Sequence, residues 1–329
     1  MIAGAVLQAV SSLGLATSFT IAVGRIARMP SLLDLTTQGD VGTITDESKL
    51  SSVKLMTPQQ LYELWERQNW QSHTIDLTRD KHDWASMDAE LRGRLAWNLS
   101  SFFVGEERVT TQFSGLVMAY ESQSEEAFLA TQQVDEARHA QHFNRFYDQV
   151  LAIDGTFEDR LQRARGDLND AFIEMFDGVL VDWGQRLVEN PRDIEAKVDF
   201  VTLYHLIIEG TLALTGQYFL TDFMDRKQIL PGWVEGFKLI SQDEHRHVAY
   251  GTWFLREKAS DPALKQRIAE RLVELIPLAS GVLVPQGADP DDYTILDYSM
   301  EETNTFAFNA LNRRLKVIGL DVSNLAAAA

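Results

Sequence analysis

Two short stretches of this chain carry nearly the same five letters: residues 135–139 read DEARH and residues 243–247 read DEHRH. On a helix, a Glu at position i and a His at i+3 lie one turn apart on the same face. Glu136 with His139, and Glu244 with His247, can therefore each aim a carboxylate and an imidazole at one point beside the helix. That donor pair suits iron, manganese or zinc. A single Glu-x-x-His says little, because a solvated helix face contains the same residues. Two copies on two long helices match the di-metal carboxylate bundles, in which two further helices each add one Glu.

The demand for two more glutamates can be met. Glu209, in YHLIIEGTLALTG, is the only Asp, Glu, Lys or Arg between Asp199 and Asp222. A carboxylate in so apolar a helix needs a metal, a proton or a partner. In the other half the choice lies between Glu106 and Glu107 of FFVGEERVTTQF. Glu106 follows the apolar run and is chosen, whereas Glu107 has Arg108 beside it. Each half then supplies one Glu and one Glu-x-x-His. Asp135 and Asp243 precede the two motif glutamates and are candidates to accept the outer N–H of a ligating imidazole; a surface ion pair with Arg138 or Arg246 is the competing reading. Among the other histidines, His205 rivals Glu209, standing four residues before it, and His142 is a candidate neighbour of the site. His73, His82 and His245 are set aside.

Composition narrows the chemistry. The 329 residues include no cysteine, so thiol nucleophiles, disulfides and thiolate metal sites are excluded. A formal net charge of −18 argues against a nucleic-acid partner. Residues 1–24 carry no charged side chain, and the first basic residue is Arg25. That segment reads as a start misassigned upstream of Met29, or as an anchor or signal; the expected compartment is the cytoplasm.

The elements that must position these side chains are helices. TPQQLYELWERQ opens with Thr57 as N-cap, Pro58 at the first helical position and Gln60 completing a capping box. Long helices are expected over 87–121, 124–153, 158–189, 191–226, 231–259, 262–280 and 298–318, with 287–294 (GADPDDYT) as a loop and no sustained strand pattern. Joined by short Pro-marked turns, they suggest an antiparallel, all-α bundle.

The set Glu106, Glu136-x-x-His139, Glu209 and Glu244-x-x-His247 resembles the ribonucleotide reductase small-subunit superfamily. HTIDLTRDKHDW at 73–84, with Trp70 just before it, is similar to that superfamily's N-terminal signature. The resemblance implies a ferritin-like domain over 57–318, after an apolar segment (1–28) and an irregular region (29–56), and before a tail (319–329). Phe143 stands where the radical-bearing Tyr of classical small subunits is found, and the segment after residue 318 has no Tyr. Val109 and Tyr204 match the positions joined by an ether cross-link in the ligand-binding oxidases that resemble the small subunit. That match implies that Tyr204 and Glu209 face one site, although an ideal helix sets them about 140° apart, so it also implies a distorted helix, as by a π-bulge. That branch implies a Mn/Fe cofactor, or two irons. Manganese would sit at Glu106, Glu136 and His139, iron at Glu209, Glu244 and His247, with Glu136 bridging. It also implies O2 as co-substrate, a long-chain fatty acid as ligand, and a homodimer. The alternatives are a Mn/Fe reductase small subunit and, in another class, a ferritin-like metal store.

Overall fold

The computed structural model describes residues 47–289 and 293–320; the apolar segment 1–28 and the tail from 321 lie outside the described residues. A 3-10 turn, Glu47–Ser52, leads into α1 (Pro58–Gln68). Then follow α2 (Thr78–Ser86), α3 (Ala89–Gln112), the short α4 (Ser114–Met118), α5 (Gln123–Gln149) and α6 (Phe157–Arg165). Helix α7 covers 170–189 with a π-helical stretch at Glu174–Val179, and α8 covers Ile194–Lys227 with a longer one at Thr202–Ala213. Helices α9 (Pro231–Lys258), α10 (Pro262–Val282) and α11 (Met300–Ile318) complete the bundle. A two-residue hairpin, Thr294–Ile295 with Tyr298–Ser299, precedes α11; it is too short to show as alternation in the sequence.

Local chemistry explains the helix starts. Thr57 and Gln60 exchange the two bonds of a capping box, with Pro58 in the first turn. Asp88, Ser122 and Asp261 cap α3, α5 and α10 with their side chains, and Ser299 with Glu302 repeats the capping box at α11. Two expected boundaries are corrected. The helix anticipated over 158–189 is interrupted after Arg165, because Asn169 caps a new helix through Phe172 N–H while its amide donates to the Gly281 carbonyl. The helix expected from Pro191 starts at Ile194, where Asp193 accepts the Ala196 N–H.

Helices α3, α5, α8 and α9 form the central four, with α10 and α11 packed on α8 and α1 laid across α5 and α9. Surrounded in this way, α8 is buried on every side from 196 to 212. It is long and apolar enough to cross a membrane, yet 89% of its apolar window is buried inside the protein. Its packing on α9 is close: a Cβ at Gly251 would lie 2.1 Å from the His205 Cβ, so only glycine fits there.

Candidate metal centre

Each central helix delivers its expected side chain to one buried cluster. Glu106 comes from α3, Glu136 and His139 from α5, Glu209 from α8, and Glu244 and His247 from α9. His139 Nδ1 lies 3.2 Å from Glu106, 3.6 Å from Glu136 and 3.5 Å from Glu244. His247 Nδ1 lies 3.0 Å from Glu136, 3.2 Å from Glu209 and 3.5 Å from Glu244. The donors thus fall into two groups, each with its atoms within 4.8 Å of one another, and Glu136 and Glu244 belong to both. Glu244 is therefore placed to be shared as well as Glu136. Glu107, one residue along, is half-buried and outside both groups.

Behind the cluster the two halves exchange partners. His139 Nε2 faces Asp243 at 3.1 Å, and His247 Nε2 faces Asp135 at 3.2 Å, so each imidazole is held by the aspartate of the other motif. With its proton on Nε2 donated to that carboxylate, each ring turns Nδ1 toward the glutamates. The aspartates do pair with Arg138 and Arg246, but in the interior, since all but Arg138 are fully buried. Trp70 Nε1 donates to Asp243 at 2.6 Å, and Trp65 Nε1 makes the matching bond to Asp135 at 2.8 Å. Asp, Glu, Arg and His of the repeated pentapeptide thus do the same work twice.

The π-helical stretch of α8 contains both Tyr204 and Glu209, so the distortion anticipated from their spacing is present. With i→i+5 bonding, residues five apart share a face. Tyr204 donates its hydroxyl to Glu136 at 2.6 Å while Glu209 reaches His247. Bulging frees carbonyls: Thr211 donates to Leu206 O, and the buried Arg314 donates to Gly210 O at 2.7 Å. Gln132, one turn before Glu136, sits 3.3 Å from both the Tyr204 hydroxyl and Glu209. Neither Gln132 nor Trp65 was singled out from the sequence. Gln132 had a signal, four residues before a ligand on the same helix face; Trp65 had none beyond the proximity of Trp70.

Burial pushes Glu106 and Glu209 well above the usual carboxylate range, and in Glu209 the neighbouring Glu244 adds to the effect. Burial alone would lower His139 and His247, but the carboxylates around them outweigh it and hold both well above the ordinary imidazole value. Burial would likewise raise Glu136, yet His247 and His139 hold it well below. Tyr204 stays a neutral phenol, raised by burial and by Glu136. The rival His205 belongs to neither donor group and has only Gln132 near its Nε2. His142 is buried edge-on to Trp70, its ring held near a pKa of about 3 by burial. His245 turns to the Ser241 carbonyl.

The four glutamates also line a cavity whose envelope, open solvent included, is about 780 Å³. Its sides are apolar, with Phe102, Phe172, Phe176, Ile208, Leu212 and Phe219 among them. Val109 lines it next to Glu106, and Phe143 packs against Trp233 and Phe237. Glu209 Oε2 and Glu244 Oε2 are buried without a protein partner. Buried carboxylate oxygens without donors are costly, and a pair of cations would satisfy them, so the donor set fits two metal ions.

A four-helix core with two Glu and two Glu-x-x-His defines a ferritin-like di-metal carboxylate fold. The ribonucleotide reductase small-chain family model matches residues 49–322, and the chain belongs to that family. Among solved structures it is similar to an R2-like ligand-binding oxidase with an aerobically reconstituted Mn/Fe cofactor, at a TM-score of 0.69 and 24% identity, covering 79% of this chain and 92% of that one. A variant of such an oxidase with an anaerobically reconstituted Mn/Fe cofactor gives 0.69 and 24% over 81% and 94%. A further variant, with a non-activated Mn/Mn cofactor, gives the same figures. At this identity the likeness establishes a shared fold.

Proposed function

We propose that the chain is a ligand-binding oxidase that uses O2 for a two-electron oxidation of a fatty-acid-like substrate. It works as a homodimer, with 57–318 as its catalytic domain. The observation that carries this reading is that the cluster's four glutamates line an otherwise mostly apolar cavity: a metal store has no use for such a cavity, and a long-chain acid could reach the cluster with its carboxylate.

Glu106, Glu136 and His139 would hold manganese, and Glu209, Glu244 and His247 iron, with Glu136 and Glu244 between them. The bound pair supplies O2 activation. The protein's own contribution is orientation and exclusion of water. Asp243 and Asp135 fix the imidazole tautomers, Tyr204 holds Glu136 by a hydrogen bond, and the aromatic wall keeps the reacting carbon dry. Phe143 has no hydroxyl to oxidise, which speaks against a reductase subunit of the tyrosyl-radical kind. Tyr204 donates its hydroxyl to Glu136, and Val109 lines the same cavity as Glu136, which supports the expected ether between Val109 Cβ and the Tyr204 oxygen.

The test is aerobic loading of the metal-free protein with manganese and iron, followed by elemental analysis, intact mass and peptide mapping. The expected result is two metals per chain, with loss of two hydrogens as a Cβ–H and an O–H give way to a C–O bond and O2 takes up the electrons. Anaerobic loading and Tyr204→Phe should show no loss. Many irons per chain would instead mark a store, and support of nucleotide reduction with a reductase large subunit would mark the reductase reading.

A further inference from the structure

The cavity is not apolar throughout. Its wall follows one stripe of α3, from Trp97 and Asn98 at one end to Glu106 and Val109 at the other. The nine residue steps from Trp97 to Glu106 span about 13 Å at the helical rise. Among the described residues that line the cavity, three side-chain polar atoms are buried with no partner: Glu209 Oε2, Glu244 Oε2 and Trp97 Nε1. The first two are acceptors at the metal end. The third is a donor at the far end.

That donor is left over rather than shared. Asn98 donates its amide to the Arg94 carbonyl at 2.8 Å, and Ser101 donates its hydroxyl to the Trp97 carbonyl at 3.1 Å. The indole is fixed by Tyr293, whose ring stands edge-on to it at 6.2 Å and 84°. A buried N–H without an acceptor is unfavourable, and a ligand oxygen placed there would remove that cost.

We propose that the ligand is an oxygenated long-chain acid. Its carboxylate lies at the glutamate end, and a hydroxyl or keto oxygen about 13 Å away along α3 accepts a hydrogen bond from Trp97 Nε1. This rests on the cavity being a fatty-acid site, and it adds the second polar group. A site that donates to a ligand oxygen discriminates against the analogue lacking it.

The experiment is binding of octadecanoic acid and of its mid-chain hydroxy and keto derivatives to the metal-loaded full chain under anaerobic conditions, by calorimetry. One hydrogen bond predicts that the best oxygenated acid binds about tenfold more tightly than the plain acid. Trp97→Phe keeps an aromatic side chain and removes the N–H, so it should abolish that preference, read as the ratio of the two acids' affinities within the variant. In nitrogen-15 tryptophan spectra of the wild-type protein, one indole N–H, absent from the Trp97→Phe spectrum, should shift downfield with the oxygenated acid alone. Equal affinity for all the acids, or a preference that survives Trp97→Phe, would overturn the proposal and leave the fatty-acid site intact. Binding of none of them would overturn both.

Discussion

Asp243 and Asp135 are as much part of the centre as the glutamates, because each fixes an imidazole contributed by the opposite half. Asp243→Asn keeps the shape but turns a strong acceptor into an amide, and His139 loses the partner that sets its tautomer. Loss of such a partner costs metal affinity by about 10–100-fold, so chelator competition should show a drop of that size, larger for the ion next to His139 than for the one next to His247. Glu106→Ala should abolish binding of the pair, whereas Glu107→Ala should leave it within error; the reverse result would move the ligand by one position. The buried donor cluster was legible because the doubled pentapeptide and the isolated Glu209 are signals within single helices. The partners of the aspartates were less so. Trp65 reaches Asp135 from 70 residues away in sequence, and no spacing rule links residues on helices that meet only in the fold.

Among the elements, the π-helical stretch of α8 matters most to the site, and its need was visible in the five-residue spacing of Tyr204 and Glu209. Its mate at Glu174–Val179, which brings Phe172 and Phe176 together at 4.1 Å along the cavity wall, left no such trace. Nor did the break at Asn169, which depends on the Gly281 carbonyl arriving from α10. The bulge of α8 is accommodated at Gly251, where α9 passes the His205 side chain. Gly251→Ala puts a methyl where there is no room, and overpacking of this kind costs about 1–3 kcal/mol. Thermal unfolding of the metal-free variant should fall accordingly. Because α8 and α9 must part to admit the methyl, the group formed by Glu209, Glu244 and His247 should lose affinity more than the one around Glu106 and His139. Equal losses at both would mean that the two helices move as one body.

For the whole molecule, the metal-free centre stores protons that ions must displace. His139 and His247 are held above their ordinary value, so their contribution to folding is complete below the unfolded imidazole value of about 6.5 and is lost as pH rises through the folded values. Glu106 and Glu209 are also raised, so their cost to folding is absent in acid and grows once pH passes the unfolded carboxyl value of about 4.3. Both pairs weaken the metal-free protein as pH rises. Asp243, lowered by His139 and the arginines despite its burial, works the other way: its contribution is present above about 3.9 and disappears as pH falls through its folded value. Metal binding needs the imidazoles and carboxylates deprotonated, so the ions gain affinity over the range in which the empty centre loses stability. The melting temperatures of loaded and metal-free protein should therefore draw apart from roughly pH 5 to pH 8, and loading at the lower end should release protons measurable by pH-stat. Since Glu136 and Glu244 serve both donor groups, removal of one ion leaves the other with all the shared carboxylates and no neighbouring cation to repel it, so chelation should strip the two ions in two steps, the second harder than the first. A gap in melting temperature that stays constant or narrows with pH would mean that the ions displace no protons from these six side chains, and that they bind elsewhere.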